Sequence, residues 1–276
     1  MNKFLQVDLE KCTHCGSCVR DCLVKAINFD RQSKIPTAHA ESEKICIGCQ
    51  HCLAVCPTGA LSIKGFSADD CQPIGNLPDS DSMMALIRQR RSIRKFKKEP
   101  VPQEILDKLI NSLHWSPTGR NDHSLIFFTA GSEDIAKFKR VTDKWIKFLI
   151  RSGLMRIFLP AYRRYFSDIL RGADVIYRGA PQMIIAGVPK KSPCKNTDPV
   201  IALTQFDLYA QTLGVGCCWC GFAEYAFRFI PELRRMINLP KNYQIGGVLL
   251  FGIPDIHYSR ATTPEKYPVF QGPFGN

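Results

Sequence analysis

Two runs of four cysteines lie near the start of this 276-residue chain. The first run reads CTHCGSCVRDC and the second reads CIGCQHCLAVC, so both have the spacing C-x2-C-x2-C-x3-C. Three thiolates spaced in this way on a tight loop can bind three irons of one cluster, while the fourth cysteine points away from that loop. The spacing therefore predicts iron–sulfur chemistry. The eight candidate ligands are Cys12, Cys15, Cys18, Cys22, Cys46, Cys49, Cys52 and Cys56.

The two runs are copies of one unit. Each cysteine of the second run follows its counterpart by 34 positions, and the same shift pairs Ala26 with Ala60. A fixed period of this kind indicates an internal duplication. Zinc is the alternative metal, but zinc sites usually take two separated pairs of ligands. Two complete four-cysteine runs favour iron–sulfur clusters.

Composition is typical of a soluble globular protein, with 45% hydrophobic and 22% charged residues. No apolar stretch is long enough for a membrane span. The N-terminus, MNKFLQVDLEKC, lacks the apolar core of a signal peptide, which predicts a cytoplasmic location. The 13 cysteines are clustered rather than spread, which favours metal binding over a disulfide framework.

The formal net charge of +12 does not by itself indicate a nucleic-acid partner. The stretch 143–171 alone carries seven Lys and Arg residues against two Asp residues. No zinc-finger, homeodomain or RNA-binding signature accompanies the charge. We therefore predict no nucleic-acid binding.

The rest of the chain predicts a mixed α+β domain over 82–276, after a Gly-, Pro- and Asp-rich connector over 65–81. Neither a Rossmann nor a P-loop fingerprint occurs. Apolar periodicity predicts helices and short apolar runs predict strands. The expected elements are a helix over 82–90 capped by Asp81 or Ser82, a helix starting at Pro102, strands over 124–130, 181–188 and 243–254, and a helix over 198–214 that buries Ala202, Phe206, Tyr209 and Leu213.

Four further stretches could form one binding site. Their sequences are RQRRSIRKF from Arg88, SPTGRNDHS from Ser116, GVGCCWCGF from Gly214 and HYSRATTPE from His257. Arginine and serine suit a phosphate, an asparagine suits an amide-like ring edge, and glycines let backbone N–H groups approach a flat ligand. The alternatives are a solvated basic run, an ordinary turn and small buried cysteines.

In this order and at these separations, the four stretches resemble the nitroreductase family of FMN enzymes over residues 82–276. The R-x-S-x-R/K signature is met by Arg90, Ser92 and Arg94. The P-[ST]-x-x-N loop is met by Pro117, Thr118 and Asn121, and the G-L-G-x-x-W-x-G segment is approached at 213–221. Residues 1–64 resemble a bacterial two-cluster ferredoxin. The whole chain is thus similar to ferredoxin–nitroreductase fusions.

The ferredoxin resemblance implies two [4Fe-4S] clusters that exchange their fourth ligands. One cluster would take Cys12, Cys15, Cys18 and Cys56, and the other Cys46, Cys49, Cys52 and Cys22. Leu23 departs from the ferredoxin pattern, which has proline after the fourth cysteine.

The nitroreductase resemblance implies an FMN site. Arg90, Ser92 and Arg260 would hold the phosphate, Arg94 would lie near N1 and O2 of the ring, and Asn121 would bond the pyrimidine edge. The complete set of expected FMN contacts is Arg90, Arg91, Ser92, Arg94, Pro117, Thr118, Gly119, Asn121, Cys218, Trp219, Cys220, Gly221 and Arg260. The resemblance also implies a homodimer. Thr262 and Thr263 depart from the family, which often has a second basic residue after the tail arginine.

The implied function is an oxidoreductase that passes electrons from the clusters through FMN to a small electron-poor acceptor such as a nitroaromatic or a quinone. The donor would be a reduced ferredoxin or NAD(P)H. No side chain is assigned as a catalytic acid or base, since the flavin does the chemistry; His123 is a candidate proton source, or else a structural histidine. The alternatives are an electron-transfer partner without a substrate of its own, and, ranked last, a redox sensor.

The basic, apolar segment 143–171 is interrupted by Pro160. We expect a helical excursion that packs over the flavin pocket or the partner subunit. The alternative is a helix that lies on a membrane surface.

Overall fold

The structure is a computed structural model that describes residues 4–152, 168–270 and 272. The chain divides into two compact units. The first unit combines Met1–Leu77 with the short segment Thr118–His123, and the second combines Pro78–Pro117 with Ser124–Asn276.

The first unit is built from short elements around the two cysteine runs. In chain order these are β1 (Leu5–Val7), α1 (Ser17–Arg20), β2 (Ile27–Phe29), β3 (Pro36–Ala38), α2 (Ser42–Ile45), α3 (His51–Ala54), β4 (Leu61–Ile63) and β5 (Phe66–Ser67). Strands β1, β4 and β5 form one antiparallel sheet, and β2 and β3 form another.

The duplication seen in the sequence is repeated in the backbone of this unit. Helices α1 and α3 have equal lengths and start 34 residues apart. Left-handed backbone conformations recur at the same interval in three pairs, His14 with Gly48, Gly16 with Gln50, and Lys25 with Gly59. Both copies need these turns to wrap a loop around its thiolates, so a non-glycine residue accepts the left-handed conformation where glycine is absent.

The second unit contains a four-stranded sheet. Its strands are β6 (Ile126–Gly131), β7 (Gln182–Pro189), β8 (Gly216–Trp219) and β9 (Tyr243–Gly252). They lie in the order β6-β7-β9-β8, and every neighbouring pair is antiparallel.

Helices cover both faces of this sheet. They are α4 (Ser80–Gln89), α5 (Gln103–Ser112), α6 (Ser132–Arg151), α7 (Asp198–Thr212), α8 (Gly221–Phe229) and α9 (Pro231–Met236). Because successive side chains of a strand point to opposite faces, β7 contributes side chains to two hydrophobic cores, one on each face of the sheet. Met183 and Ile185 pack with residues of α6 and α8, while Ile184 and Ala186 pack with α5 and α7. The α+β fold class is confirmed.

Several local expectations need correction. The stretch 65–81, expected to be a connector, contains β5, a 3-10 turn over Ala68–Asp70 and the start of α4. The cap of α4 is Asp79, whose Oδ1 accepts hydrogen bonds from the backbone N of Asp81 at 3.0 Å and of Ser82 at 2.9 Å. An aspartate outside the helix can satisfy these two N–H groups, which Asp81 or Ser82 within the first turn cannot.

The buried face of α7 is rotated relative to the sequence prediction. Ala202 and Phe206 are fully buried as expected, but Tyr209 is 38% exposed. Leu203 and Ala210 take the place of Tyr209 in the core. Burial of the small Ala210 avoids the desolvation of a phenolic hydroxyl, which explains the rotation.

Within the described residues, no helix is long and apolar enough to cross a membrane. Helix α6 contains the first part of the segment 143–171, up to Arg151. Residues 153–167 of that segment lie outside the described residues, and the expected excursion falls mainly on them.

Candidate functional site

Equivalent backbone hydrogen bonds position the fourth cysteine of each run. The backbone N of Ala26 donates to Cys22 Sγ at 3.2 Å, and the backbone N of Ala60 donates to Cys56 Sγ at 3.3 Å. An N–H group that points at sulfur orients the side chain of a candidate ligand. Both copies therefore prepare their fourth cysteine for ligation in the same way.

The fourth cysteine of each run lies beside the other run. Burial raises the pKa of Cys18, and the nearby charges of Cys56 and Cys15 raise it further. Burial also raises the pKa of Cys52 to about 12, with added contributions from the charges of Cys49, Cys22 and Cys46. A small cavity is lined by the first set, Cys12, Cys15, Cys18 and Cys56.

These two sets provide eight thiolates, the donors that iron–sulfur clusters use. Among the described residues, no three His, Cys, Asp or Glu side chains are arranged to hold a single metal ion. A [4Fe-4S] cluster distributes its four thiolates over four irons. The chemistry of the donor set thus fits such clusters.

The first cysteine loop has a cation beside it. Arg20 donates from Nη1 to the Cys15 carbonyl at 2.7 Å and from Nη2 to Ser17 Oγ at 3.0 Å. Hydrogen bonding with Ser17 lowers the pKa of Cys15 to about 7, and the charge of Arg20 adds to this effect. The loop therefore favours a thiolate at Cys15.

The second cysteine loop has different partners. Lys64 Nζ donates to the Cys46 carbonyl at 3.0 Å, and Asn121 Nδ2 donates to the Ile47 carbonyl at 3.1 Å. The histidines of the two loops contact residues outside their own loops. His14 Nδ1 lies 3.2 Å from the Lys34 carbonyl, and His51 Nδ1 lies 3.3 Å from Asp21 Oδ2.

In the second unit, the segment after α4 lies beside β8. The backbone N of Ile93 donates to the Cys217 carbonyl at 2.8 Å. A Cβ atom at Gly216 would come within 2.3 Å of Ile93 Cγ1, so only glycine allows this approach. The contact places Ser92 and Arg94, the neighbours of Ile93, next to the GVGCCWCGF segment.

Arg90 is engaged by a buried carboxylate that the sequence analysis missed. Its Nη1 lies 3.3 Å from Oδ2 of Asp207, a residue of α7 whose side chain is only 5% exposed. Burial raises the pKa of Asp207, although the charge of Arg90 opposes that shift. No motif marks Asp207, since it lies within an ordinary helical sequence.

Arg91 connects to the C-terminal tail. Its Nη1 donates to Thr262 Oγ1 at 2.7 Å, and its guanidinium lies 5.8 Å from the centre of the Tyr258 ring. Thr262, which departs from the family pattern, is thus a partner for an arginine of the first stretch. Arg260 lies exposed in the same tail.

Two guanidinium groups lie near the buried thiol of Cys218. Burial raises its pKa, while the positive charges of Arg178 and Arg94 oppose the shift. The thiol itself donates to the Trp219 carbonyl at 3.6 Å. Neither arginine forms an ion pair with a carboxylate among the described residues. Arg178 was not predicted; its left-handed φ of 56° is invisible in the sequence. This pair of cations could bind a developing negative charge.

The remaining residues of the third stretch are cysteines in the core and an open glycine. Cys217 and Cys220 are buried, which agrees with the alternative that they are small core residues. Burial raises the pKa of Cys220 to about 11, and its Sγ lies 3.2 Å from the Ile176 carbonyl.

Trp219 is half-buried against Gly247. A Cβ atom at Gly221, which begins α8, would meet nothing within 4 Å, so a flat ligand could approach there.

The second stretch is divided between the two units. Ser116 Oγ donates to Gln205 Oε1 in the second unit, and Pro117 is exposed. Thr118, Gly119 and Asn121 belong to the first unit. The structure thus places Arg91, Ser92, Arg94, Cys218 and the tail within one unit, and all the expected FMN contacts remain predictions.

Comparison with known proteins agrees with the two units. Residues 87–253, more than half of the chain, match the model of the nitroreductase family. The chain belongs to this family. Residues 11–60 match the 4Fe-4S dicluster domain, so the recognised fusion of a ferredoxin-type and a nitroreductase domain is confirmed.

Relatives align with this nitroreductase with low identity. A provisionally named NADH dehydrogenase/NAD(P)H nitroreductase of Methanothermobacter thermautotrophicus is 24% identical over 62% of this chain and 77% of its own. An NADPH-dependent oxidoreductase of Staphylococcus epidermidis is 22% identical over 58% of this chain, and the match spans only 60% of that relative. The crystal structure of a nitroreductase with bound FMN from Desulfitobacterium hafniense superposes with a TM-score of 0.55 at 20% identity, covering 68% of this chain and 97% of its own. That likeness supports the fold.

Proposed function

We propose that this nitroreductase is an FMN-dependent oxidoreductase in which two [4Fe-4S] clusters deliver electrons through FMN to a small electron-poor acceptor. Nitroaromatics and quinones are the acceptor classes that this chemistry suits. When bound, FMN supplies the step that joins one-electron donors to a two-electron acceptor. The protein supplies binding, orientation and charge.

The observation that carries the proposal is the arrangement of eight thiols in two sets, with Cys56 beside Cys18 and Cys22 beside Cys52. Each set contains the four thiolates that one [4Fe-4S] cluster needs. A chain that belongs to the nitroreductase family and also holds two clusters has a built-in source of single electrons. Each reduced cluster would give up one electron, so two transfers supply the pair that the acceptor takes.

The second unit fits FMN through its charges and its open glycine. Arg94 and Arg178 lie beside Cys218, where they would stabilise negative charge on the ring. Gly221 leaves room for a flat ring at the start of α8. Ser92 and Arg260 of the predicted set would hold the phosphate, and Arg91 would replace Arg90 there because Arg90 is paired with Asp207. Arg90 contributes mainly through its pair with Asp207.

We also infer a homodimer and a cytoplasmic location. The homodimer is implied by the family resemblance, and the cytoplasmic location by the 13 cysteines, whose clustering favours metal binding over a disulfide framework. Light scattering of the purified holoprotein would test the dimer, and a monomer at micromolar concentration would contradict it.

The test of the function is an anaerobic spectral titration of the purified holoprotein, following the flavin absorbance. Reduced ferredoxin, NADH and NADPH are compared as donors, and a nitroaromatic compound is then added. We expect reduced ferredoxin to bleach the flavin and the nitroaromatic to restore it. A flavin that no donor bleaches, or that stays bleached with the nitroaromatic and with a quinone, would contradict the proposal.

The Cys49→Ser variant is the control for the route of the electrons. Cys49 belongs to the second cysteine set, and its loss should slow bleaching by reduced ferredoxin at least tenfold. Bleaching by a chemical reductant that reaches the flavin directly should stay unchanged. If reduced ferredoxin bleached the flavin at the same rate in the variant and in the wild type, electrons would not enter the protein through the clusters.

A further inference from the structure

The segment Thr118–His123, which the sequence assigns to the FMN site, contributes a side chain to the second cysteine loop. Asn121 Nδ2 donates to the Ile47 carbonyl at 3.1 Å, and Ile47 directly follows Cys46. A carbonyl oxygen only accepts, so the NH2 group of the Asn121 amide must face Ile47.

The Asn121 amide is fixed from its other end. His123 Nε2 lies 2.8 Å from Asn121 Oδ1, and since that oxygen accepts, the Nε2 atom carries the proton. The backbone N of His123 in turn donates to Thr118 Oγ1 at 3.0 Å. The segment thereby holds the amide in one orientation.

The backbone of this segment is also unusual. Arg120, Asn121 and His123 have φ angles of 58°, 56° and 44°. Left-handed conformations at non-glycine residues cost free energy, and they persist where surrounding contacts enforce them. Three of them within six residues indicate that the position of the Asn121 side chain is enforced.

The internal duplication provides a comparison within the same molecule. The residue 34 positions before Ile47 is Thr13. Among the described residues, no hydrogen bond reaches the Thr13 carbonyl. The contact made by Asn121 therefore distinguishes the second cysteine loop from the first.

We propose that Asn121 is a positioning residue for the cluster held by Cys46, Cys49, Cys52 and Cys22. Its N–H group directs positive charge toward this loop, which favours the reduced, more negative state of that cluster. This inference deepens the proposed function and rests on its two clusters.

The test is a redox titration, followed by electron paramagnetic resonance, of the full-length Asn121→Ala holoprotein. We expect one cluster midpoint to fall, so that the ratio of reduced to oxidised cluster at the wild-type midpoint decreases about threefold, the effect of one lost hydrogen bond. The other midpoint should stay unchanged. The Asn28→Ala variant is the matched control, since Asn28 is exposed in β2 of the same unit, and it should move neither midpoint.

The two signals are assigned with ligand variants. Cys49→Ser should shift or remove the signal that Asn121→Ala shifts, and Cys15→Ser should affect the other signal. Equal shifts of both signals, a shift of the Cys15 signal alone, or no shift would overturn the proposal. Loss of FMN from Asn121→Ala with both midpoints unchanged would leave Asn121 as a flavin ligand only, which also overturns it.

The iron content of the wild-type holoprotein separates this failure from a failure of the proposed function. Two [4Fe-4S] clusters require about eight irons per chain. A wild type without them would reject the proposed function together with this inference. A wild type with both clusters and an unresponsive Asn121→Ala variant would reject this inference alone.

Discussion

Arg90 Nη1 lies 3.3 Å from Asp207 Oδ2, and this pair joins the residue after α4 to the middle of α7. The two partners are unequally exposed, because the Asp207 side chain is 5% exposed and that of Arg90 is 34% exposed. Loss of the arginine would therefore leave a buried charge, whereas loss of the carboxylate would leave a charge that water can reach.

We expect Arg90→Ala to lower the free energy of unfolding of the second unit by about 3 kcal/mol, the usual cost of leaving one buried partner unpaired. Asp207→Asn should cost about 1 kcal/mol or less, since Arg90 is partly solvated. The double variant should recover most of the loss. Denaturation followed by tryptophan fluorescence reports on this unit, which contains Trp115, Trp145 and Trp219. Equal costs for both single variants would contradict the prediction.

The same carboxylate predicts a pH dependence. Burial raises the pKa of Asp207 above its usual value, so the folded state binds this proton more tightly than the unfolded state does. This tighter proton binding stabilises the folded state fully at pH values below the pKa of Asp207 in the unfolded chain. The stabilisation is lost as pH rises through the raised pKa of Asp207 in the folded chain. The stability of the wild type relative to Asp207→Asn should therefore increase as pH falls through the raised pKa of Asp207. The opposite slope, measured by the same denaturation at each pH, would show that the pair with Arg90 outweighs burial.

The exchange of the fourth cysteines predicts which ligand variants behave alike. Cys56→Ser should disturb the same cluster as Cys15→Ser, and Cys22→Ser the same cluster as Cys49→Ser. In each variant the iron content should fall from about eight toward about four per chain. Electron paramagnetic resonance of the reduced proteins identifies the cluster that remains. If Cys56→Ser instead matched Cys49→Ser, the fourth cysteine would ligate within its own run.

Two glycines of the third stretch should respond differently to alanine. A Cβ atom at Gly216 would lie 2.3 Å from Ile93 Cγ1, so Gly216→Ala should destabilise the second unit by about 1–3 kcal/mol. A Cβ atom at Gly221 would meet no atom of the chain within 4 Å, so Gly221→Ala should leave the stability of the flavin-free protein unchanged or slightly raised.

The affinity for FMN completes the glycine comparison. Gly221→Ala should weaken FMN binding by at least tenfold, because the added methyl group would occupy the space that a flat ring needs. Quenching of FMN fluorescence measures the affinity, and melting temperature measures the stability. If Gly221→Ala bound FMN as tightly as the wild type does, the flavin would not lie at the start of α8.

Much of the fold could be predicted because local patterns decide it. The strands Gln182–Pro189 and Tyr243–Gly252 lie within two residues of their predicted bounds, since continuous apolar runs are buried on both faces. Helix α5 begins at Gln103, one residue after the predicted start at Pro102, which is its N-cap. Helix α7 was placed correctly, but its buried face was not, because the choice between Ala210 and Tyr209 depends on what packs against the helix.

The sequence by itself determined the kind of chemistry, because the spacing of the eight cysteines and the order of four short motifs are properties of the chain alone. Only the tertiary structure decided which groups meet. It placed Asp207 against Arg90, Arg178 beside Cys218 and Asn121 on the carbonyl of Ile47. Each of these contacts joins residues distant in sequence, and no local propensity specifies such a pair. Burial and charge act through these contacts, so the properties of the site follow from the folded arrangement.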